Sequence, residues 1–186
     1  MDNVDIINIT QEDFVGEIIQ DEYKVLSIDI GVINMGLSLS VINKDYTFKE
    51  VLLVDNIDIT SYKHSKCKYS ECNLHHTKTF CDWVEHMIYE NREHFDYCDI
   101  ILLEKQPPKG FVVIEQLIYS KYRNKTYLIN PRSVHKYLNF KGFDYDARKK
   151  FSEKIGDQYM SQELIEKTKK YKCKLKHALY DLKCMF

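Results

Sequence analysis

The chain has 186 residues, 44% of them hydrophobic, which is enough to bury one sizeable core and predicts a single domain with at most a short insertion. No stretch approaches the roughly 20 apolar residues of a membrane span, and the first residues carry neither the basic nor the apolar region of a secretory signal. The expectation is a soluble, non-secreted protein of a reducing compartment, without a membrane partner. The net charge of −1 hides an asymmetry: residues 1–23 hold seven acids and no Lys or Arg, whereas residues 105–154 hold twelve Lys and Arg against four acids.

Residues 1–23 read as an irregular acidic leader, with one helical turn possible after Thr10, where Thr10 and Asp13 fit a capping pattern. Residues 24–30, 34–42 and 47–55 are β-branched or aromatic and separated by turn signals, which predicts three consecutive antiparallel strands. Residues 61–81 form a Cys/His-rich insertion. Residues 76–95 place Phe80, Trp83, Val84, Met87 and Ile88 at helical spacing and predict one long amphipathic helix.

A fourth strand is predicted over residues 99–104, stopped by Pro107 and Pro108. A helix over residues 111–123, a fifth strand over 125–129, a proline-started helix at Pro131, a helix over 144–160 and one from Lys174 complete the series. This order predicts an α/β fold with a five-stranded mixed sheet flanked by helices on both faces, strands one and four adjacent and parallel.

Two acids stand out within that order. Val25-Leu26-Ser27-Ile28-Asp29-Ile30-Gly31 places a carboxylate inside an apolar strand, and Ile100-Ile101-Leu102-Leu103-Glu104 ends in another. A buried unpaired carboxylate costs several kcal/mol, roughly, so such a residue is kept with a partner, a proton or a metal ion. Asp29 and Glu104 are therefore candidate divalent-metal ligands. Each alone has an ordinary alternative: Asp29 as a turn residue beside Gly31, Glu104 in a surface ion pair with Lys105 or Lys109.

The basic second half interleaves cations with Phe111, Tyr119, Tyr122, Tyr127 and Tyr137, a pattern suited to a phosphate backbone. Lys105, Gln106, Lys109, Lys121, Arg123, Arg132, Arg148 and Lys149 are the candidate DNA-binding residues. The ordinary alternative is a solvated helical face.

The six cysteines are expected to be free thiols or metal ligands. Cys67, Cys72, His75 and Cys81, with His64 and His76 nearby, supply enough soft ligands for a tetrahedral zinc, which would clip a loop poor in apolar residues. A polar loop leading into the helix is the alternative.

Ser27-Ile28-Asp29-Ile30-Gly31 with Asn34, then Leu102-Leu103-Glu104-Lys105-Gln106-Pro107-Pro108, then Asn130-Pro131-Arg132-Ser133-Val134 and Asp146-Ala147-Arg148-Lys149-Lys150, resemble the ribonuclease H-like superfamily. Within it the chain is similar to the poxvirus-type Holliday junction resolvases of large DNA viruses, from about residue 24 onward. The resemblance implies a domain over residues 24–186 that hydrolyses phosphodiester bonds in four-way DNA junctions with two Mg²⁺ ions. It implies that Asp29 bridges both ions and Glu104 holds the second. A further acid pair, Asp-x-x-Asp, is expected on one face of the C-terminal helix.

The chain departs from that pattern in one place. Asp181 occupies the second acid position, but Ala178 occupies the first, which reads as an engineered replacement that disables cleavage while preserving DNA affinity. The resemblance also implies an active-site lysine, assigned to Lys150 ahead of Lys149, backbone clamps at Lys105, Lys109 and Arg132, and a place of action at viral replication in an infected cell. Two-fold junction symmetry favours a homodimer, with residues 111–123 expected as the interface because Phe111, Val113, Ile114 and Ile118 count as more apolar positions than one core needs. A non-catalytic junction-binding protein and a ribonuclease H-like RNA-cleaving enzyme remain the alternatives.

Overall fold

The computed structural model describes residues 21–63, 74 and 79–169. Five strands form one sheet in the order β3-β2-β1-β4-β5. β1 (Glu22–Asp29), β2 (Met35–Asn43) and β3 (Phe48–Ile57) make an antiparallel meander, and β4 (Ile100–Glu104) and β5 (Thr126–Ile129) extend the sheet parallel to β1. The predicted strands lie within two residues of these bounds. β2 is buried along almost its whole length, as expected of an inner strand covered on both faces.

Helices cover both faces, as predicted. On one face, Val84, Met87 and Ile88 of α1 (Phe80–Glu90), Phe95 of α2 (Arg92–Tyr97) and Ile114 and Ile118 of α3 (Val112–Lys121) pack on Leu26, Ile28, Leu37, Ile101 and Leu103. On the other, Val134 of α4 (Pro131–Tyr137), Phe140, and Ile155 of α5 (Tyr145–Tyr159) pack on Val25, Ile42, Ile100, Leu102 and Ile129. A third cluster joins Val51 and Val54 of β3 to Met160, with Leu164 and Ile165 of α6 (Gln162–Lys169) packed on it.

Local chemistry sets the helix starts. The Thr79, Asn130 and Asp144 side chains accept from the backbone N–H groups of Asp82, Arg132 and Ala147, and Pro131 occupies the first turn of α4. The single helix predicted over residues 76–95 is in fact two. Asn91 donates both its backbone N–H and its side-chain amide to the Met87 carbonyl, at 3.1 and 2.8 Å, and so ends α1 and starts α2. Helix α6 was not anticipated, and the helix predicted from Lys174 lies outside the described residues. A 3-10 turn at Ile59–Lys63 opens the Cys/His-rich insertion.

A second correction concerns α3. Ile114 and Ile118, counted as apolar surplus, are fully buried against the chain's own core because α3 lies flat on the sheet; Phe111 and Val113 are exposed.

Candidate active site

Asp29 and Glu104 are the last residues of β1 and β4. The parallel register runs from Val25 opposite Ile100 to Ile28 opposite Leu103, so the two acids occupy the next rung. Ile28 and Leu103 point into the α1/α3 core. Strand alternation therefore sends Asp29 and Glu104 to the opposite face, the one shared by Val25, Leu102 and helices α4 and α5. Neighbouring strands lie about 4.8 Å apart, which sets the two half-buried carboxylates side by side.

The register is pinned at the other end of the same strand pair. Asp99, just before β4, accepts the Lys24 backbone N–H on Oδ2 at 2.8 Å, and its own N–H donates to the Lys24 carbonyl at 2.8 Å.

The rung continues across the sheet. Asp29 pairs with Gly36, and Gly36 with Asn56, so no side chain stands between the acid and the β3 amide. Asn56 donates through Nδ2 to Asn34 Oδ1 at 3.3 Å, while its buried Oδ1 has no hydrogen-bond partner among the described residues. The next rungs on this face carry the buried hydroxyls of Ser27, Ser38 and Ser40.

The loop after Glu104 is tightly built. The Gln106 side-chain amide donates to Glu104 Oε2 at 3.2 Å and lies 3.4 Å from the Glu104 carbonyl, and its Oε1 accepts the Phe111 N–H at 3.3 Å. Glu104 is thus held by an amide, not by the lysines beside it. The Gln106 backbone N–H donates to Oε2 of Glu115 at 2.5 Å. Neither Asn56 nor Glu115 was singled out from the sequence. Glu115 could have been: it is an acid on the buried stripe of a helix whose neighbouring positions Ile114 and Ile118 are core.

The predicted DNA-binding residues fall into two groups. Lys105, Lys109, Arg123 and Arg132 are exposed, with Lys105 and Lys109 on the loop that leaves the acid rung; Lys150, the expected active-site lysine, is exposed on α5. Lys149 also lies on α5. Lys121 and Arg148 have internal partners: Lys121 Nζ lies 2.8 Å from Glu85 Oε2, and the Arg148 guanidinium donates to the Phe143 carbonyl at 2.8 Å. Arg148 and burial together hold His135 on α4 below the usual imidazole range, burial being the larger cause.

Two oxygen donors side by side on one rung suit a hard divalent cation such as Mg²⁺, which also relieves the repulsion between like charges. Among the described residues no group of three or more His, Cys, Asp and Glu side chains forms a metal cage. Asp181 and position 178 lie outside the described residues, as do Cys67, Cys72 and His75 of the predicted zinc cluster. Cys81 is an exposed free thiol at the start of α1. No described helix is long and apolar enough to cross a membrane.

No protein-family model matches the sequence, and no curated protein matches it. Solved structures do. A fowlpox virus resolvase in complex with Holliday junction DNA is similar with a TM-score of 0.54 at 21% identity, over 88% of this chain and 91% of that one. The yeast mitochondrial Holliday junction resolvase Ydc2 gives a TM-score of 0.57 at 18% identity, over 88% of this chain and 77% of that one. Thermus thermophilus RuvC gives 0.50 at 12% identity, over 87% of this chain and 92% of that one. With its meander, its two parallel strands and helices on both faces, the chain has the ribonuclease H-like fold of these resolvases.

Proposed function

We propose that this chain is a structure-selective DNA endonuclease of the resolvase type, acting on four-way junctions as a homodimer. The observation that carries this reading is the placement of Asp29 and Glu104 on one rung of two adjacent parallel strands, facing the same side of a ribonuclease H-like sheet. The similarity in fold to a resolvase solved with Holliday junction DNA supports the choice of substrate.

In this reading Asp29, Glu104 and Asp181 hold two Mg²⁺ ions, which when bound supply an activated water and neutralise the departing oxygen. The protein's own residues do the rest. Gln106 orients Glu104, to which it is hydrogen-bonded. Lys105 and Lys109, exposed beside the rung, together with Arg132, clamp the phosphate backbone, and Lys150 reaches the scissile phosphate from α5. Such contacts read position and not sequence, as an enzyme of junctions requires. The alanine at 178 removes one of four acids, so this chain binds junctions and cleaves poorly. That same alanine favours a second reading, a junction-binding protein that does not cleave.

A gel-shift with a four-way junction and a linear duplex of equal length, followed by a cleavage assay with Mg²⁺, tests the proposal. The expected result is preferential junction binding without Mg²⁺ and a gain of paired nicks on Ala178→Asp, lost again when Asp29→Asn is added. Equal affinity for both DNAs with no gain of cleavage would overturn it. Junction preference without a gain of cleavage identifies the binding protein, and sedimentation as a monomer at micromolar concentration would remove the homodimer.

A further inference from the structure

We infer that Gln106 and Glu115 form a positioning clamp that fixes the rotamer of the Glu104 carboxylate for metal binding; the inference rests on the reading of Asp29 and Glu104 as metal ligands. Glu104 is the terminal residue of β4 and is half-buried, whereas the four residues before it are buried. The Gln106 amide donates to one oxygen of that carboxylate, Oε2, at 3.2 Å. With one carboxylate oxygen accepting from the amide, the other remains for a cation.

Gln106 is itself held at three points. Its Oε1 accepts the Phe111 N–H. Its backbone N–H donates to Glu115 at 2.5 Å. Its side chain also packs against Gly110, where an added Cβ would lie 3.0 Å from Gln106 Oε1 and 2.9 Å from Pro107 Cδ, so the turn closes this tightly only around a glycine.

Glu115 is the unexpected member. It is 4% exposed, and no salt bridge among the described residues reaches it. A buried carboxylate on the core face of a helix is costly unless it receives hydrogen bonds. Its partners are the Gln106 N–H and, at 2.8 Å, the Gln116 side-chain amide. Its side-chain oxygen thus anchors the loop leaving β4 to α3, and α3 is anchored in the core by Ile114 and Ile118. The result is a continuous path from rigid helix to metal-facing carboxylate.

The test is Mn²⁺ binding to the full chain, followed by electron paramagnetic resonance, with thermal unfolding and junction affinity measured without metal. Gln106→Met keeps length and removes the amide; it is expected to weaken Mn²⁺ about tenfold or more while the metal-free unfolding midpoint stays put. Glu115→Gln retains an oxygen for the Gln106 N–H and should bind Mn²⁺ like the parent, whereas Glu115→Met should weaken it as Gln106→Met does. Asp29→Asn is the control for the site itself. If it abolishes Mn²⁺ binding while Gln106→Met leaves the affinity at the parental value, the clamp is refuted and the site stands. If Asp29→Asn changes nothing, the metal site fails and the clamp falls with it. A Gln106→Met chain with parental Mn²⁺ affinity and weakened metal-free junction binding makes Gln106 a DNA contact and overturns the inference. Should Glu115→Met not fold, Gln106→Met and Glu115→Gln still decide.

Discussion

Lys125 lies in the basic half of the chain and reads from sequence as one more phosphate-seeking cation, yet its ammonium is turned inward. It donates to the carbonyls of Phe95 at 2.7 Å and Cys98 at 2.8 Å, lies 3.4 Å from that of Asp96, and sits 5.6 Å from the Tyr122 ring centroid. These are the orphan carbonyls where α2 ends and the chain turns into β4, the place where a cation also complements the helix dipole. Two short charge-assisted bonds contribute about 1.5–3 kcal/mol each, and a freed lysine recovers about 1.5–2 kcal/mol of rotamer entropy. Replacement by methionine, which keeps the stem and deletes the charge, should therefore cost about 2–3 kcal/mol. For a chain of this size that lowers the melting midpoint by about 4–12 °C. Urea denaturation of Lys125→Met beside the parent, followed by circular dichroism, measures it. A loss below about 1 kcal/mol would refute the reasoning, because solvated surface lysines cost no more than that.

Further outcomes follow from other residues. Leu103 is fully buried one position before Glu104, so Leu103→Ala should destabilise by about 2–5 kcal/mol in the same denaturation assay. Burial pushes the Cys98 thiol up to about 11, whereas Cys81 is exposed, so native protein and Cys98→Ala should show the same number of fast-reacting thiols toward a disulfide reagent at pH 8, roughly the point where an ordinary thiol begins to ionise. The loss of one fast thiol in that variant would count against the buried placement. His135 has a folded pKa below its ordinary 6.5, so the stability it contributes is present above that value and is lost as pH falls through the lowered folded pKa. His135→Gln should accordingly flatten the fall of the melting midpoint below pH 6.5, and an unchanged slope would show that other groups carry it.

The sheet was legible because its information is local and repeated. Val25 to Asp29 and Ile100 to Glu104 are short apolar runs bounded by turn residues, and each ends in an acid whose position on the strand decides its face. The starts of α4 and α5 were legible for the same reason, at Pro131 and at residue 144, whereas the first long helix was expected from residue 76 and the Thr79 cap starts α1 at Phe80. What escaped were contacts made by chain reversal. Asn91 has ordinary helical neighbours, and only its bond back to Met87 shows that it ends one helix. Lys125 is separated by 27 residues from the Cys98 carbonyl that it caps. Glu115 meets Gln106 at a sequence separation of nine, and no spacing rule relates the two. The surplus assigned to Ile114 and Ile118 failed because the width of the sheet they cover cannot be counted along one helix.

The pair of hydrogen bonds between Asp99 and the backbone of Lys24 has a consequence for how this chain can change over time. It fixes the frame in which Val25 meets Ile100, four rungs before the acids. Direction alternates at every step along a strand, so a single codon gained or lost between residues 99 and 104 would not shift Glu104 slightly. It would turn the carboxylate through the sheet into the hydrocarbon of α1 and α3, beside Leu103's present neighbours. Length in this stretch is therefore an all-or-nothing trait.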